Sequence, residues 1–432
     1  MPDMPAAGET GPGPSPAPSP QDRHAVGRAA GDYQVSLVTV LREWGRIGCI
    51  GFGGPPAHIA LLRKLVVDRE HWLDATEFED AIAACNLLPG PASTQLAIFC
   101  AWRVRGRLGA LAGGIAFIVP GLIIILALSA LFLAGTPPRW VSGTGAGAGA
   151  AVAAVAVQAG WLLLVPSWRR AAGSRRLRWL AYLLAGGAAS PLIGPWLVFV
   201  LLGSGLTELA IRRQSPPGST RTAAVVPLLA AQAIRVVRAA GPAAAARAAA
   251  AAAGGGVLLA VAWVAFKVGA LSFGGGFVII PLMQADAVGH HWMTSAQFLN
   301  GVALGQITPG PVVQTVATVG YAAAGLGGGL LASAVAFTPS FVFILGGARY
   351  FSALRGNHHA QAFLDGAGPA AIGAILGSAI ALARALTQPW QYAVLAGAAV
   401  LLLALRRGVV FTLLTAGAVG LIIALAGGPL PH

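Results

Sequence analysis

Leu87-Leu88-Pro89-Gly90-Pro91 breaks one apolar segment of this chain, and Ile307-Thr308-Pro309-Gly310-Pro311, 220 residues further on, breaks another. Proline removes a backbone donor and clashes with the preceding turn, while glycine accepts the irregular dihedrals that result. A second interruption precedes each corner. It reads Ile50-Gly51-Phe52-Gly53-Gly54-Pro55-Pro56 in the first copy and Ser272-Phe273-Gly274-Gly275-Gly276 in the second. The copies agree residue by residue. Gly48, Phe52, Gly53, Gly54 and Leu61 recur as Gly269, Phe273, Gly274, Gly275 and Leu282; His71-Trp72 and Phe78 recur as His291-Trp292 and Phe298. One chain carries the same interrupted element twice, as transporters built from two related halves do.

Composition fixes the environment. The chain is 56% hydrophobic and only 10% charged, too few polar residues to cover the surface of a soluble domain. Apolar runs at 108–134, 146–165, 191–210, 257–283, 327–346, 370–386, 392–405 and 409–425 approach or exceed the ~20 residues that cross a bilayer. The reading is an all-α polytopic membrane protein with two homologous halves. A net charge of +14 would also suit a nucleic-acid partner. Here, however, the arginines sit in short loops between apolar runs (Arg169, Arg170, Arg175, Arg176, Arg178), the pattern that orients cytoplasmic loops. No nucleic-acid partner is expected. Cys49, Cys85 and Cys100 lack metal-type spacing and read as small packing residues.

Four sections follow along the chain. Residues 1–32 are a Pro/Gly-rich tail, read as disordered, without the apolar core of a cleavable signal. Residues 33–210 are the first repeat, 211–256 a basic, Ala-rich cytoplasmic linker, and 257–432 the second repeat. Arg63, Lys64 and Arg69 precede the first Pro-Gly-Pro element, and Arg103, Arg105 and Arg107 follow it; the matching flanks in the second half, 284–297 and 322–330, hold no Lys or Arg. Like charge on both flanks predicts a re-entrant pair that enters and leaves on one side. The contrast between basic flanks in one copy and flanks without Lys or Arg in the other predicts halves in inverted orientation. The start resists this scheme, because Arg23, Arg28, Arg42 and Arg46 favour a cytoplasmic N-terminus. Either a surface helix precedes the first element or that element does not fully cross.

With these breaks in hand, the chain resembles the chromate ion transporter family in its long two-domain form. The match is carried by Gly51-Phe52-Gly53-Gly54-Pro55-Pro56-Ala57-His58-Ile59 and Leu88-Pro89-Gly90-Pro91-Ala92-Ser93-Thr94-Gln95. In the second half it is carried by Phe273-Gly274-Gly275-Gly276 and Thr308-Pro309-Gly310-Pro311-Val312-Val313-Gln314. The resemblance implies a multi-pass carrier of the bacterial inner membrane that exports chromate and confers resistance, with sulfate the related oxyanion. The residues accept that substrate class. A helix restarting after Pro91 or Pro311 offers unpaired N–H groups and partial positive charge to a compact dianion.

The expected substrate-binding residues are Gly53, Gly54, Asn86, Pro89, Gly90, Ser93, Thr94 and Gln95, with Gly274, Gly275, Gln306, Thr308, Gly310 and Gln314 in the second half. Lys267 joins them as an ionisable group mid-element, where function is the default reading and snorkelling the alternative. Asn86 and Gln306 either contact substrate or satisfy broken backbone. His58 reads as a packing histidine or a proton carrier. Gly113-Gly114 and Gly327-Gly328-Gly329 read as close helix packing. The chain lacks a phosphate-binding Gly-x-x-x-x-Gly-Lys-Ser/Thr string, a His-Glu-x-x-His string and a nucleophile elbow. It is therefore read as neither an ATP-driven pump nor an enzyme, and no cofactor is expected. Rival readings are an oxyanion channel with re-entrant pore loops and a carrier of sulfate or another anion. The partners named are the oxyanion and the bilayer, with a homo-oligomer left open.

Overall fold

A computed structural model describes residues 35–88, 90–133, 135, 137–173, 175–193, 196–214, 242–272, 279–347 and 358–431. The Pro/Gly-rich tail, linker residues 215–241, Pro89, Gly274, Gly275, Arg349 and Arg355 lie outside the described residues. Within them the chain is helical, with no strand. Seven helices belong to the first half: α1 (Leu37–Ile50), α2 (Pro55–Arg63), α3 (Ala75–Leu87), α4 (Ala92–Phe132), α5 (Arg139–Arg170), α6 (Arg175–Ile193) and α7 (Leu197–Gln214). Seven belong to the second: α8 (Pro242–Leu271), α9 (Ile279–Gly289), α10 (Ser295–Ile307), α11 (Thr315–Gly347), α12 (His358–Arg384), α13 (Pro389–Ala399) and α14 (Val409–Leu425).

The repeat extends to single dihedral angles. His71 and His291 both take positive φ, 51° and 57°, in turns that close onto the preceding helix. Asp74 and Thr294 both cap the next helix by accepting from the backbone N–H three residues on. At 41 residues, α4 would be about 60 Å long, twice the hydrocarbon thickness. It therefore folds on itself at Arg105 and Gly106 (φ 64°), and α11 does the same at Ala324 and Gly325 (φ 61°). Glycine is required at both kinks, since ψ of −153° with positive φ is closed to other residues.

The corner between Leu87 and Ala92 turns α3 and the first arm of α4, which ends at the kink, into a hairpin. With 13 residues, α3 is about 20 Å long and cannot cross alone. Arg103 at the end of the second arm forks onto Glu77 at the start of the first, its Nη2 donating to Oε2 at 3.1 Å. Both ends of the hairpin therefore lie together, as the flanking arginines predicted. In the second half Gly301 backs onto Thr318 and Gly305 onto Thr315, the same antiparallel pairing.

The halves are inverted. A methyl group at Gly114 would lie 2.5 Å from the Phe341 ring, and one at Gly329 would lie 2.5 Å from Leu126. As α4 advances from 114 to 126, its partner recedes from 341 to 329, so equivalent spans pass antiparallel. Two copies of one membrane span running in opposite directions have opposite topology. The last helices are exchanged between halves: α6 and α7 pack on α12 through Gly186, Gly366, Gly373 and Gly377, while α14 packs on α5 through Gly143, Gly147 and Gly420. Small residues permit this backbone approach, the main source of helix association in lipid. Gly113 and Gly114 pack as expected, against Trp44 and Phe341, as do Gly328 and Gly329; Gly327 has no neighbour within 4 Å.

Helices Ala92–Phe132, Arg139–Arg170, Val312–Gly347 and His358–Arg384 are long and apolar enough to cross a membrane. Two expected spans are corrected. Residues 257–283 are not one helix: α8 ends at Leu271 and α9 begins at Ile279. Residues 191–210 straddle the junction of α6 and α7, because Pro191 still lies inside α6. The first helix, α1, has 14 residues, about 21 Å, short of a full crossing. That length matches the second of the two options left open for the N-terminal segment.

Candidate functional site

The breaks of the two halves meet at one carbonyl. Gly51 ends α1 with its C=O directed away from any helix partner, and it accepts from the Gly310 N–H at 3.0 Å and from His58 Nε2 at 2.9 Å. The first break of one half is thus bonded to the second break of the other. Because a carbonyl only accepts, His58 carries its proton on Nε2, leaving Nδ1 to accept from the Ser93 hydroxyl at 3.2 Å. Ser93 stands in the first turn after Pro91. The chain of bonds Ser93–His58–Gly51–Gly310 therefore connects three of the four breaks. His58 is fully buried, with the Phe117 ring edge-on at 5.1 Å. It is a satisfied, positioning histidine.

The two Pro-Gly-Pro corners pack reciprocally. Gly90 (φ 122°) lies against Gln95 and the Ser340 hydroxyl, whereas Gly310 (φ 93°) lies against Gln314 and Gly121. Gly121 and Ser340 each follow the internal proline of their long helix, Pro120 or Pro339, and hold equivalent places in the repeat. Each corner thus rests on the other half's proline bend, a two-fold arrangement. Gln314 donates through Nε2 to the Ile118 carbonyl. Gly54 faces Val312, with 3.6 Å to a built Cβ.

Both helix starts after the corners are open. Pro91 and Pro311 occupy the cap positions, and neither start has a side-chain cap. The first N–H groups of a helix lack partners one turn back, and together with the axial dipole they attract anions. Around them Thr94 Oγ1, Gln314 Oε1 and Ser340 Oγ are buried without a hydrogen-bond partner among the described residues. A buried polar atom left so costs about 1–3 kcal/mol, so a cluster of them marks a place built for something polar.

The remaining expected residues separate. Thr308 caps the end of α10 and is buried. Gly53 (φ 97°) forms the turn before α2 and is exposed. Lys267 does not present a free charge: its ammonium donates to Asp286 at 2.6 Å and lies 5.9 Å from the Trp263 ring centre. Its counterpart Arg46 is likewise neutralised, by Glu43 at 3.9 Å. Asn86 and Gln306 occupy matching positions but differ in access. Asn86 is exposed on the wall of a cavity, and Gln306 is only 7% exposed, its Nε2 without a partner among the described residues.

That cavity, about 680 Å³, lies between α3, the end of α5, α6, α7 and α12. On its wall Glu208, 3% exposed, accepts from Arg178 (2.9 and 3.2 Å), Arg212 (3.0 Å) and the Tyr182 hydroxyl (3.3 Å). Arg212 also bonds Asp365 of the second half at 2.5 Å. Sequence reading missed this network and the Gly121/Ser340 pair. The signals were there: Glu208 is an acid inside an apolar run, where ionisable groups are functional by default, and the Pro120-Gly121 and Pro339-Ser340 bends repeat as regularly as the corners.

Inverted repeats, interrupted helices and a shared polar centre define a membrane transporter of the broken-helix class rather than an enzyme. The chain matches the chromate transporter family over residues 38–209 and 259–421 and belongs to it. It is 30% identical over 415 residues to a chromate transport protein of Cupriavidus metallidurans, covering 94% of this chain and 97% of that one. Over 348 residues it is 31% identical to a chromate transport protein of Pseudomonas aeruginosa, covering 78% and 79%. An uncharacterized transporter of Methanocaldococcus jannaschii is 27% identical over 329 residues, covering 74% of this chain and 78% of its own. No solved structure matches the chain.

Proposed function

We propose that this protein is a secondary carrier that exports chromate, and sulfate as the related tetrahedral oxyanion, across the bacterial inner membrane and so confers chromate resistance. The observation that carries this reading is the pair of uncapped helix starts, with the buried, unpartnered Thr94 and Ser340 hydroxyls beside the corner where both halves meet. The hydroxyls of Thr94 and Ser340 and first-turn amides donate to the oxyanion, and Gln314 donates through Nε2 once released from Ile118. The substrate name follows the two relatives printed as chromate transport proteins. Alternating exposure comes from one half rocking against the other about the Gly51–Gly310 contact.

Purified protein in vesicles loaded with sulfate is expected to take up labelled chromate saturably and in exchange. Equal accumulation in empty vesicles removes the reading, and large unitary currents replace it with an oxyanion channel.

A further inference from the structure

The reciprocal packing of the two halves fails at one place. In the second half, α10 lies directly on α5: a Cβ at Gly145 would be 2.9 Å from Asn300 Nδ2, and one at Gly149 would be 2.9 Å from Asn300 Oδ1. Symmetry would seat α3 on α12 in the same way. Instead α3 meets α12 only loosely, the 680 Å³ cavity opens beside them with Asn86 exposed on its wall, and the matching Gln306 is shut in. The chamber thus reaches Asn86, in the last turn before the first corner, whereas the matching Gln306 is covered.

The wall of that chamber is cationic. Arg170, Arg175, Arg178 and Arg212 line it, against two carboxylates, Glu208 and Asp365. Both carboxylates are already held by Arg178 and Arg212, so among the described residues of the wall two guanidinium charges remain uncompensated. At about 30 Å³ per water, the space holds on the order of twenty water molecules. A chamber this wide does not grip a tetrahedral anion by shape. A cleft of one sign of charge with low-dielectric walls instead concentrates counter-ions, by about 10–1,000-fold.

We propose that this chamber is a second, loading site for the oxyanion, in which Arg170 and Arg175 gather the hydrated dianion and Arg178 and Arg212 pass it to Asn86 beside the first corner. The proposal rests on the oxyanion reading above. The basic loop between α5 and α6 assigns the mouth to the cytoplasm, the side from which an exporter loads.

Two measurements test it. In vesicles, Arg170→Gln with Arg175→Gln is expected to raise the KM for chromate about three- to tenfold at unchanged maximal rate, since the lost interaction acts before the transport step. Arg169→Gln with Arg176→Gln removes the same charge from the same loop outside the chamber, and its KM is expected to stay within about twofold of wild type. Equal effects from both pairs reduce the chamber to surface potential and overturn the proposal, as does an unchanged KM in the chamber pair. The second measurement needs no transport, so it separates failure of this site from failure of the oxyanion reading. In a Cys49→Ser background, where Cys85 and Cys100 are buried, Asn86→Cys is expected to react faster with an anionic than with a cationic methanethiosulfonate. Arg170→Gln with Arg175→Gln is expected to cancel that preference, and Gln306→Cys to stay unreactive. An inert Asn86→Cys, or a preference untouched by the arginine changes, also overturns it.

Discussion

Gly121→Ala tests whether the two halves really touch at the centre. The added methyl would come within 3.0 Å of both the Pro309 carbonyl oxygen and Gln314 Oε1. The carbonyl belongs to a corner already fixed by Gly310 N–H on Gly51 O, so it cannot swing aside. Overpacking a close contact costs about 1–3 kcal/mol, and displacing Gln314 from Ile118 adds about 1 kcal/mol for the lost hydrogen bond. The total is about 2–4 kcal/mol. Unfolding entropy scales with length, and for a chain of this size each kcal/mol lowers the midpoint by roughly 1 °C. Scanning fluorimetry in detergent is therefore expected to show a drop of about 2–4 °C, with chromate exchange strongly reduced. Gly327→Ala is the control, since it sits in the same class of helix with no atom within 4 Å, and its midpoint should be unchanged or slightly raised. Identical midpoints for the two variants would refute the contact of Gly121 with the Pro309 corner.

Thr94→Val keeps shape and removes an orphaned hydroxyl; it is expected to leave the midpoint unchanged or raise it, while weakening chromate exchange about 10-fold or more if that hydroxyl donates to a charged ligand. Unaltered exchange would take Thr94 out of the site. Lys267→Met alone leaves the buried Asp286 carboxylate unpaired and should destabilise by about 3–5 kcal/mol, whereas Lys267→Met with Asp286→Leu should recover most of that loss in the same thermal scan. Glu77→Arg is expected to lower the yield of folded protein by size-exclusion chromatography, and Arg103→Glu added to it should restore the yield; the pair is surface-exposed, so the effect is about 1 kcal/mol or less.

The breaks and the inversion were legible because each is written in residues with one physical meaning. Proline and glycine inside an apolar run cannot be a plain helix, and arginine flanks differing between copies report sidedness. The kinks at Gly106 and Gly325 were less visible: the arginines at 103, 105 and 107 mark a boundary there, but a single glycine in a sequence otherwise able to stay helical does not show the chain reversing. Lys267 illustrates what a single position cannot tell: its partner Asp286 lies 19 residues away on α9, and only the fold shows that the charge is neutralised. His58 and Gly51 are a pairing of the same kind. Each was visible as a motif residue, but a carbonyl shared between opposite halves has no signature in sequence.

Exposure at Asn86 and Gln306 gives the asymmetry its meaning. Both corners are buried, but the helix turns that lead into them, at Asn86 and Gln306, are not equally covered. The same supersecondary unit therefore takes two packings in one molecule, closely seated as α10 on α5 and loosely seated as α3 on α12. In the rocking carrier proposed above, exchanging the two packings would close the chamber beside α3 and open its counterpart beside α10. The energetic difference between the two states then lies in side chains that differ between copies, Asp365 against Thr144 and Asp80 against Asn300, rather than in the shared backbone.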